Sequence, residues 1–123
     1  MKRVLVVDDS ATMRRMIMAS LASLGPMAFE EAVSGLDAIE RVTVTKVDLV
    51  ILDLNMPDVH GLEVLSFIRG HPSLAHLPIV ILTTRGDEAS RKAALDGGAS
   101  LYLTKPFQPP DMARQIGQLL AAA

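Results

Sequence analysis

Residues 4–10 read VLVVDDS and residues 49–55 read LVILDLN, so each of these apolar runs ends on an acidic side chain. Both runs are apolar at successive positions, which is the pattern of a strand buried on both faces in a parallel sheet covered by helices. Three other runs also have strand length and carry mostly apolar residues. The five strands predicted in this way are residues 4–7, 27–32, 49–52, 79–83 and 101–104.

The segments between the strands have helical patterns. In residues 11–24 apolar side chains recur at helical spacing, which predicts a buried stripe of Met13, Met16, Ile17, Leu21 and Leu24. Alternating strands and helices predict an α/β fold, a doubly wound parallel sheet of five βα units with helices on both faces. A strand order of 2-1-3-4-5, the flavodoxin-like order, is one common solution. The remaining helices are predicted over residues 36–45, 62–70, 88–96 and from Pro109 onward.

The composition fits one compact domain over residues 1–123, since half of the residues are hydrophobic and 21% are charged. A net charge of −2 argues against a basic surface for DNA or anionic membranes. The absence of cysteine excludes disulfides and thiol catalysis, and it fits a reducing cytosol. No apolar run approaches the roughly 18 residues that a membrane span requires.

Polar side chains interrupt the apolar pattern where the predicted strands end. Asp8 and Asp9 follow the first strand and Asp53 follows the third. Thr83 ends the fourth strand and Lys105 follows the fifth. Parallel strands place all these ends on one side of the sheet, so the side chains are expected to meet there. Clustered carboxylates repel one another unless some are protonated or a cation holds them, and oxygen ligands suit Mg²⁺. A carboxylate beside a metal and a lysine can form an aspartyl phosphate.

Besides this chemistry, four short motifs in a particular order along the chain resemble those of a known protein family. They are Asp8-Asp9, Asp53-Leu54-Asn55-Met56-Pro57, Thr83-Thr84 and Lys105-Pro106-Phe107, each at the end of its own strand. In this order the chain closely resembles, over essentially its whole length, the receiver domain of bacterial response regulators, in particular the single-domain chemotaxis type. The strand order 2-1-3-4-5 is itself described from a chemotaxis receiver, so it is not independent of this resemblance.

The resemblance implies a phosphoacceptor and a metal site. Asp53 would accept the phosphoryl group. Asp9 and Asp53 would bind Mg²⁺ or Mn²⁺ through their side chains, Asn55 would bind it through its backbone carbonyl, and Asp8 would act through a metal-bound water. No further cofactor is implied.

The resemblance also implies roles around the phosphoryl group. Thr83 would form a hydrogen bond to it, and Lys105 would neutralise its charge. Tyr102 matches the aromatic switch position, so that Thr83 and Tyr102 together would form the switch. The Lys105-Pro106 peptide bond is expected to be cis, a form that X-Pro bonds adopt at small cost.

The function that the resemblance implies is phosphorylation-controlled signalling in a two-component phosphorelay. A histidine kinase or phosphotransfer protein would supply the phosphoryl group. A downstream protein would bind the face made by the fourth helix, the fifth strand and the fifth helix. The domain would assist its own phosphorylation and dephosphorylation, yet its role would be signalling and not enzymatic. We expect a cytoplasmic protein without DNA binding or membrane insertion, a monomer or a dimer on phosphorylation.

The chain departs from the usual receiver pattern after the phosphoacceptor. Asp58-Val59-His60-Gly61 stands where Gly-Met-Asp-Gly is frequent, so a histidine replaces an acid. Thr84 stands where a small residue is common, and it is expected to narrow the access to Asp53. These differences bear on the lifetime of the phosphoryl group and on its donor, and not on the core chemistry. Arg14-Arg15 is interpreted as part of a solvated helix face.

Three alternatives remain open from the sequence alone. A hydrolase of the haloacid dehalogenase type also uses Asp and Mg²⁺, but it normally has a second Asp two residues after its nucleophile, where Ser10 follows Asp8. A flavodoxin-like FMN carrier needs a hydroxyl-rich loop after the first strand, where this chain has acids. A phosphate-independent interaction module would not require Asp8, Asp9, Asp53 and Lys105 together.

Overall fold

In the computed structural model, which describes residues 1–122, a parallel sheet forms the centre of the molecule. Its five strands are β1 (Lys2–Val7), β2 (Met27–Ala32), β3 (Leu49–Leu52), β4 (Ile79–Thr83) and β5 (Leu101–Thr104). They pair in the order β2-β1-β3-β4-β5, which confirms the predicted doubly wound topology. Ala123, the last residue of the predicted domain, lies outside the described residues.

The helices alternate with the strands as predicted. They are α1 (Ala11–Leu21), followed by a 3-10 turn (Ala22–Leu24), then α2 (Gly35–Val44), α3 (Gly61–Gly70), α4 (Glu88–Asp96) and α5 (Pro109–Ala122). The first four helices begin at a side chain that accepts a hydrogen bond from a first-turn N–H, namely Ser10, Ser34, His60 and Asp87. Within residues 1–122 no helix combines the length and apolar character needed to cross a membrane.

The first helix is shorter than predicted. α1 ends at Leu21, and the 3-10 turn after it stops at Gly25, whose φ is 103°. Ile17 and Leu21 are buried as predicted, but Met16 is 50% exposed and Leu24 is 37% exposed. The 3-10 turn has three residues per turn, so it rotates Leu24 away from the α-helical stripe. Met16 lies beside that stripe on the solvent side.

The sheet separates two apolar layers. Because successive strand side chains point to opposite faces, Val4 and Val6 pack against α1 and α5, whereas Leu5 and Val7 pack against α2, α3 and α4. The strands β3 and β4 are buried along their whole length. The two layers hold the strands in place, so the residues that follow β1, β3, β4 and β5 are fixed along one edge.

Candidate functional site

The carboxyl edge of the sheet carries three aspartates. Asp8 and Asp9 directly follow β1, and Asp53 directly follows β3. One carboxylate oxygen from each residue lies within 4.8 Å of the other two. Asp8 is 1% exposed and Asp53 is 6% exposed, whereas Asp9 is open to solvent. The structure thus brings together the three acids that the sequence analysis placed at strand ends.

Lys105 follows β5 and bridges two of these acids. Its Nζ donates to Asp8 Oδ2 at 2.7 Å and to Asp53 Oδ2 at 2.9 Å. Burial alone would lower the pKa of Lys105, but the hydrogen bonds to the two carboxylates outweigh burial and raise that pKa above its usual 10.5. The ammonium group is therefore charged at neutral pH and offsets part of the negative charge. The Lys105-Pro106 peptide bond is cis, as expected.

Backbone groups hold Asp53 from its other side. The N–H of Asn55 donates to Asp53 Oδ1 at 3.1 Å. The N–H of Asp53 itself donates to the carbonyl oxygen of Val7 at 3.2 Å, which ties the residue to β1. The Asn55 side chain is exposed, and its Nδ2 lies 3.5 Å from Thr84 Oγ1. Each carboxylate oxygen of Asp53 therefore accepts a hydrogen bond, one from Lys105 and one from Asn55.

Thr83 and Tyr102 contact the same residue of the loop between β4 and α4. Thr83 is fully buried, and its Oγ1 accepts the backbone N–H of Arg85 at 3.3 Å. The Tyr102 hydroxyl donates to the backbone carbonyl oxygen of Arg85. Burial raises the pKa of Tyr102 above 10, so the phenol remains a donor at neutral pH. Both predicted switch residues therefore bind the backbone of Arg85, Thr83 at its N–H and Tyr102 at its carbonyl oxygen.

Asp58 and His60, which depart from the usual receiver pattern, cap the preceding helix α2 and the following helix α3. The Asp58 carboxylate accepts the N–H groups of Gly35 and Leu36 at the start of α2, both at 3.0 Å. Backbone hydrogen bonds, that of Leu36 foremost, lower the pKa of Asp58 from 3.8 to about 2. His60 Nδ1 accepts the N–H of Leu62 in α3 at 3.1 Å. The loop after β3 is thus attached to both α2 and α3, a connection that the sequence analysis did not predict.

The interpretation of Arg14 as a solvated residue is wrong. Arg14 is 9% exposed, and its Nη1 donates to the backbone carbonyl oxygen of Asp8 at 2.6 Å. Its Nε forms an ion pair with Glu31 Oε1 at 2.7 Å. A sequence signal for this burial exists, because Arg14 lies three residues before Ile17 and seven before Leu21, which is the spacing of one helix face.

The acidic cluster fits a hard divalent cation. Asp8, Asp9 and Asp53 offer only oxygen atoms, which are the ligands that Mg²⁺ prefers in proteins. The ligand atoms are close enough to share one ion, and the exposed position of Asp9 leaves room for waters to complete its coordination. Since three carboxylates face one ammonium group, a cation would also neutralise the remaining negative charge.

Residues 4–117 match the family described as "Response regulator receiver domain". The chain belongs to this family. The receiver is 37% identical to the chemotaxis protein CheY homolog of Campylobacter jejuni over 119 residues, which are 96% of this chain and 92% of that protein. It is also 37% identical to chemotaxis protein CheY1 of Helicobacter pylori over 121 residues, 96% of each chain.

The solved structures agree with the family match. Chemotaxis protein CheY4 of Vibrio cholerae superimposes with a TM-score of 0.87 at 30% sequence identity, and the match covers 97% of this chain and 98% of that one. The receiver is thus a phosphorylation-activated response regulator of two-component signal transduction. Membership in this family selects the receiver over the hydrolase and flavin-carrier alternatives.

Proposed function

We propose that Asp53 is the phosphoacceptor of this receiver, with residues 1–123 acting as one receiver domain. The observation that carries the proposal is the way Asp53 is held at the end of a buried strand. Its Oδ2 accepts from the Lys105 ammonium group and its Oδ1 accepts from the N–H of Asn55. A carboxylate oriented on both oxygens beside a cation is suited to nucleophilic attack on a phosphoryl group.

The proposed reaction transfers a phosphoryl group from the phosphohistidine of a histidine kinase or phosphotransfer protein. An oxygen of Asp53 attacks phosphorus in line, the O–P bond forms as the P–N bond breaks, and the electron pair of that bond stays on the imidazole nitrogen. Lys105 compensates the charge on the phosphoryl oxygens, and Thr83 donates its hydroxyl hydrogen to one of them. Water later hydrolyses the acyl phosphate, so the domain assists both its phosphorylation and its dephosphorylation.

The residues proposed to hold Mg²⁺ or Mn²⁺ are Asp9, Asp53 and the backbone carbonyl of Asn55, with Asp8 acting through a water. Bound there, the cation supplies charge neutralisation and orientation of the phosphoryl oxygens. Support for this assignment comes from the carboxylate oxygens of Asp8, Asp9 and Asp53, which lie within 4.8 Å of one another.

The proposed output surface is the face of α4, β5 and α5, through which a downstream protein reads the phosphorylation state. The shared contacts of Thr83 and Tyr102 with Arg85 support this assignment, because they link the end of β4 to β5 through the loop before α4. We propose that the receiver acts in the cytoplasm, where its kinase donates, as a monomer or as a dimer on phosphorylation. No step of this function requires DNA contact or membrane insertion.

The phosphoacceptor assignment is tested by intact-mass measurement after incubation with acetyl phosphate and Mg²⁺. The wild-type protein is expected to gain the mass of one phosphoryl group, and Asp53→Asn is expected to gain none. Asp48→Asn is the matched control, because Asp48 directly precedes β3 at the opposite edge of the sheet and bonds the N–H of Arg3. Labelling of Asp53→Asn at the wild-type level would refute the assignment.

A further inference from the structure

Arg14 is a charged residue on the buried face of α1. It stands four residues after the helix cap Ser10, and it shares the face of Ile17 and Leu21 that packs toward the sheet. Only 9% of Arg14 is exposed. Arginine stays charged in proteins, so a guanidinium at this position needs well-placed partners.

The hydrogen-bond partners of Arg14 lie near the carboxyl ends of two different strands, β1 and β2. Nη1 donates to the carbonyl oxygen of Asp8, after β1, at 2.6 Å, and Nε donates to Glu31 Oε1, on β2, at 2.7 Å. The planar guanidinium can serve both directions at once, which a lysine ammonium group on its flexible stem does not reproduce. Glu31 also compensates the positive charge of Arg14. Arg14 therefore acts on the acidic cluster mainly by fixing the position of its backbone, and less by its charge.

The carbonyl that Arg14 holds belongs to the peptide bond between Asp8 and Asp9. The other polar atoms of Asp8 are held as well. Its N–H donates to Ala32 O at 3.2 Å, its Oδ1 accepts the N–H of Ser10 at 2.9 Å, and its Oδ2 accepts from Lys105. Arg14 therefore completes the set of contacts that fixes the plane of the Asp8–Asp9 peptide.

The position of the Asp9 carboxylate depends on that peptide plane more than the positions of the Asp8 and Asp53 carboxylates do. Within residues 1–122 the Asp9 carboxylate accepts no hydrogen bond and forms no ion pair, and it is exposed to solvent. Its place within 4.8 Å of the Asp8 and Asp53 oxygens is thus set by the backbone that carries it. We propose that Arg14 is a positioning residue that holds the Asp8–Asp9 peptide so that the Asp9 carboxylate faces the metal position. This inference rests on the proposed metal site.

The test compares Mg²⁺ binding by the wild-type protein, Arg14→Met and Arg69→Met with isothermal titration calorimetry. Arg69 is the matched control, because it also donates from a helix to backbone carbonyls, those of Leu77 at 2.7 Å and Gly98 at 2.9 Å, at the opposite edge of the sheet. Loss of a residue that orients a metal ligand typically weakens metal affinity by about tenfold or more. We expect that loss in Arg14→Met, and wild-type affinity in folded Arg69→Met.

A second readout uses the metal-free protein. Amide hydrogen exchange at Ser10, whose N–H bonds Asp8 Oδ1, is expected to become faster in Arg14→Met and to stay at the wild-type rate in Arg69→Met. Should Arg14→Met fail to fold, Arg14→Lys serves in its place, because it keeps the positive charge and loses the planar guanidinium. It is expected to show weaker Mg²⁺ binding and faster exchange at Ser10, both to a smaller extent than Arg14→Met.

The outcomes separate this inference from the proposed metal site. Wild-type affinity in folded Arg14→Met, or equal losses in Arg14→Met and Arg69→Met, would overturn the role of Arg14. Asp9→Ala serves as the reference for the site itself. If Asp9→Ala binds Mg²⁺ like the wild-type protein, the metal assignment fails independently of Arg14.

Discussion

Gly61 begins α3, and its backbone lies directly against the segment that carries Asp53. A Cβ atom at this position would lie 2.5 Å from the Asp53 carbonyl oxygen and 2.7 Å from Leu54 Cα. Both contacts are to backbone, which cannot move aside as the end of a flexible side chain can. Overpacking of this kind costs roughly 1–3 kcal/mol. We expect Gly61→Ala to lower the free energy of unfolding by about that amount in denaturant titrations.

Gly70 provides the matched control at the other end of α3. A Cβ atom there has no heavy atom within 4 Å, so Gly70→Ala is expected to leave stability unchanged or to raise it by up to about 1 kcal/mol. Equal stability of Gly61→Ala and the wild-type protein would show that the Asp53 segment shifts at little cost. In that case the close packing of α3 would not position Asp53.

The residues of the site differ in how far the sequence could predict them. Asp8, Asp9, Asp53, Thr83 and Lys105 were predictable, because each stands at the end of a strand and parallel strands end at one edge. The partners of Arg14 and Asp58 were not. A helical spacing shows that a side chain faces inward, but it does not show which carbonyl or N–H group of another segment it meets.

Among the elements, α2 and the loop after β3 are joined by Asp58. Its carboxylate accepts the N–H groups of Gly35 and Leu36, which lie in the first turn of α2. A negative charge at this end of a helix is favourable, and the pKa of Asp58 falls to about 2 because the folded state stabilises the charged form. Gly35 also packs closely on the loop, since a Cβ there would lie 2.6 Å from Val59 O.

The lowered pKa of Asp58 gives a pH dependence with a definite sign. Because the folded value lies below the usual 3.8, the contribution to stability is fully present above pH 4 and is lost as the pH falls toward 2. We expect Asp58→Asn to be less stable than the wild-type protein at pH 6. The difference between the two denaturation midpoints should shrink by more than half at pH 2.5.

The control for this prediction is Asp111→Asn. Asp111 accepts hydrogen bonds from Arg114 and Gln115 within its own helix, α5, and does not connect two elements. Its substitution is expected to change the midpoint little at pH 6, as surface ion pairs contribute little. A midpoint difference for Asp58→Asn that stays constant from pH 6 to 2.5 would contradict the assignment of stability to the Asp58 carboxylate.

The bounds of the elements were largely predictable, and the exceptions have local causes. The strands β3, β4 and β5 agree with prediction because Asp48, Pro78 and Ser100 mark their starts and polar side chains mark their ends. α1 ends earlier than predicted, because the chain tightens into a 3-10 turn before Gly25 reaches a φ of 103°. Hydrophobic spacing continued through Leu24, and spacing alone does not distinguish an α-helical turn from a 3-10 turn.

In the whole molecule, Arg85 links the end of β4, at the edge of the sheet that carries the acidic cluster, to Tyr102 on β5. Thr83 Oγ1 accepts its N–H, and the Tyr102 hydroxyl donates to its carbonyl oxygen. Of the described residues of α4, Ala94 is the buried one, so few packing contacts resist a shift of this helix. A change in the direction of the Thr83 hydroxyl can therefore alter the loop before α4 and the position of Tyr102.

Beryllofluoride, which mimics the phosphoryl group on an aspartate, should reveal this link in amide chemical shifts. If the Thr83 hydroxyl turns toward the new group on Asp53, Arg85 loses its acceptor, and an existing equilibrium between two loop arrangements shifts. We expect large changes at Arg85, Tyr102 and α4 in the wild-type protein, and their loss in Thr83→Ala. Thr84→Ala is the control, because Thr84 is exposed and its described side-chain contact is Asn55 Nδ2 at 3.5 Å. Changes confined to the loops that carry Asp8 and Asp53, with Tyr102 and α4 unaffected, would exclude this route.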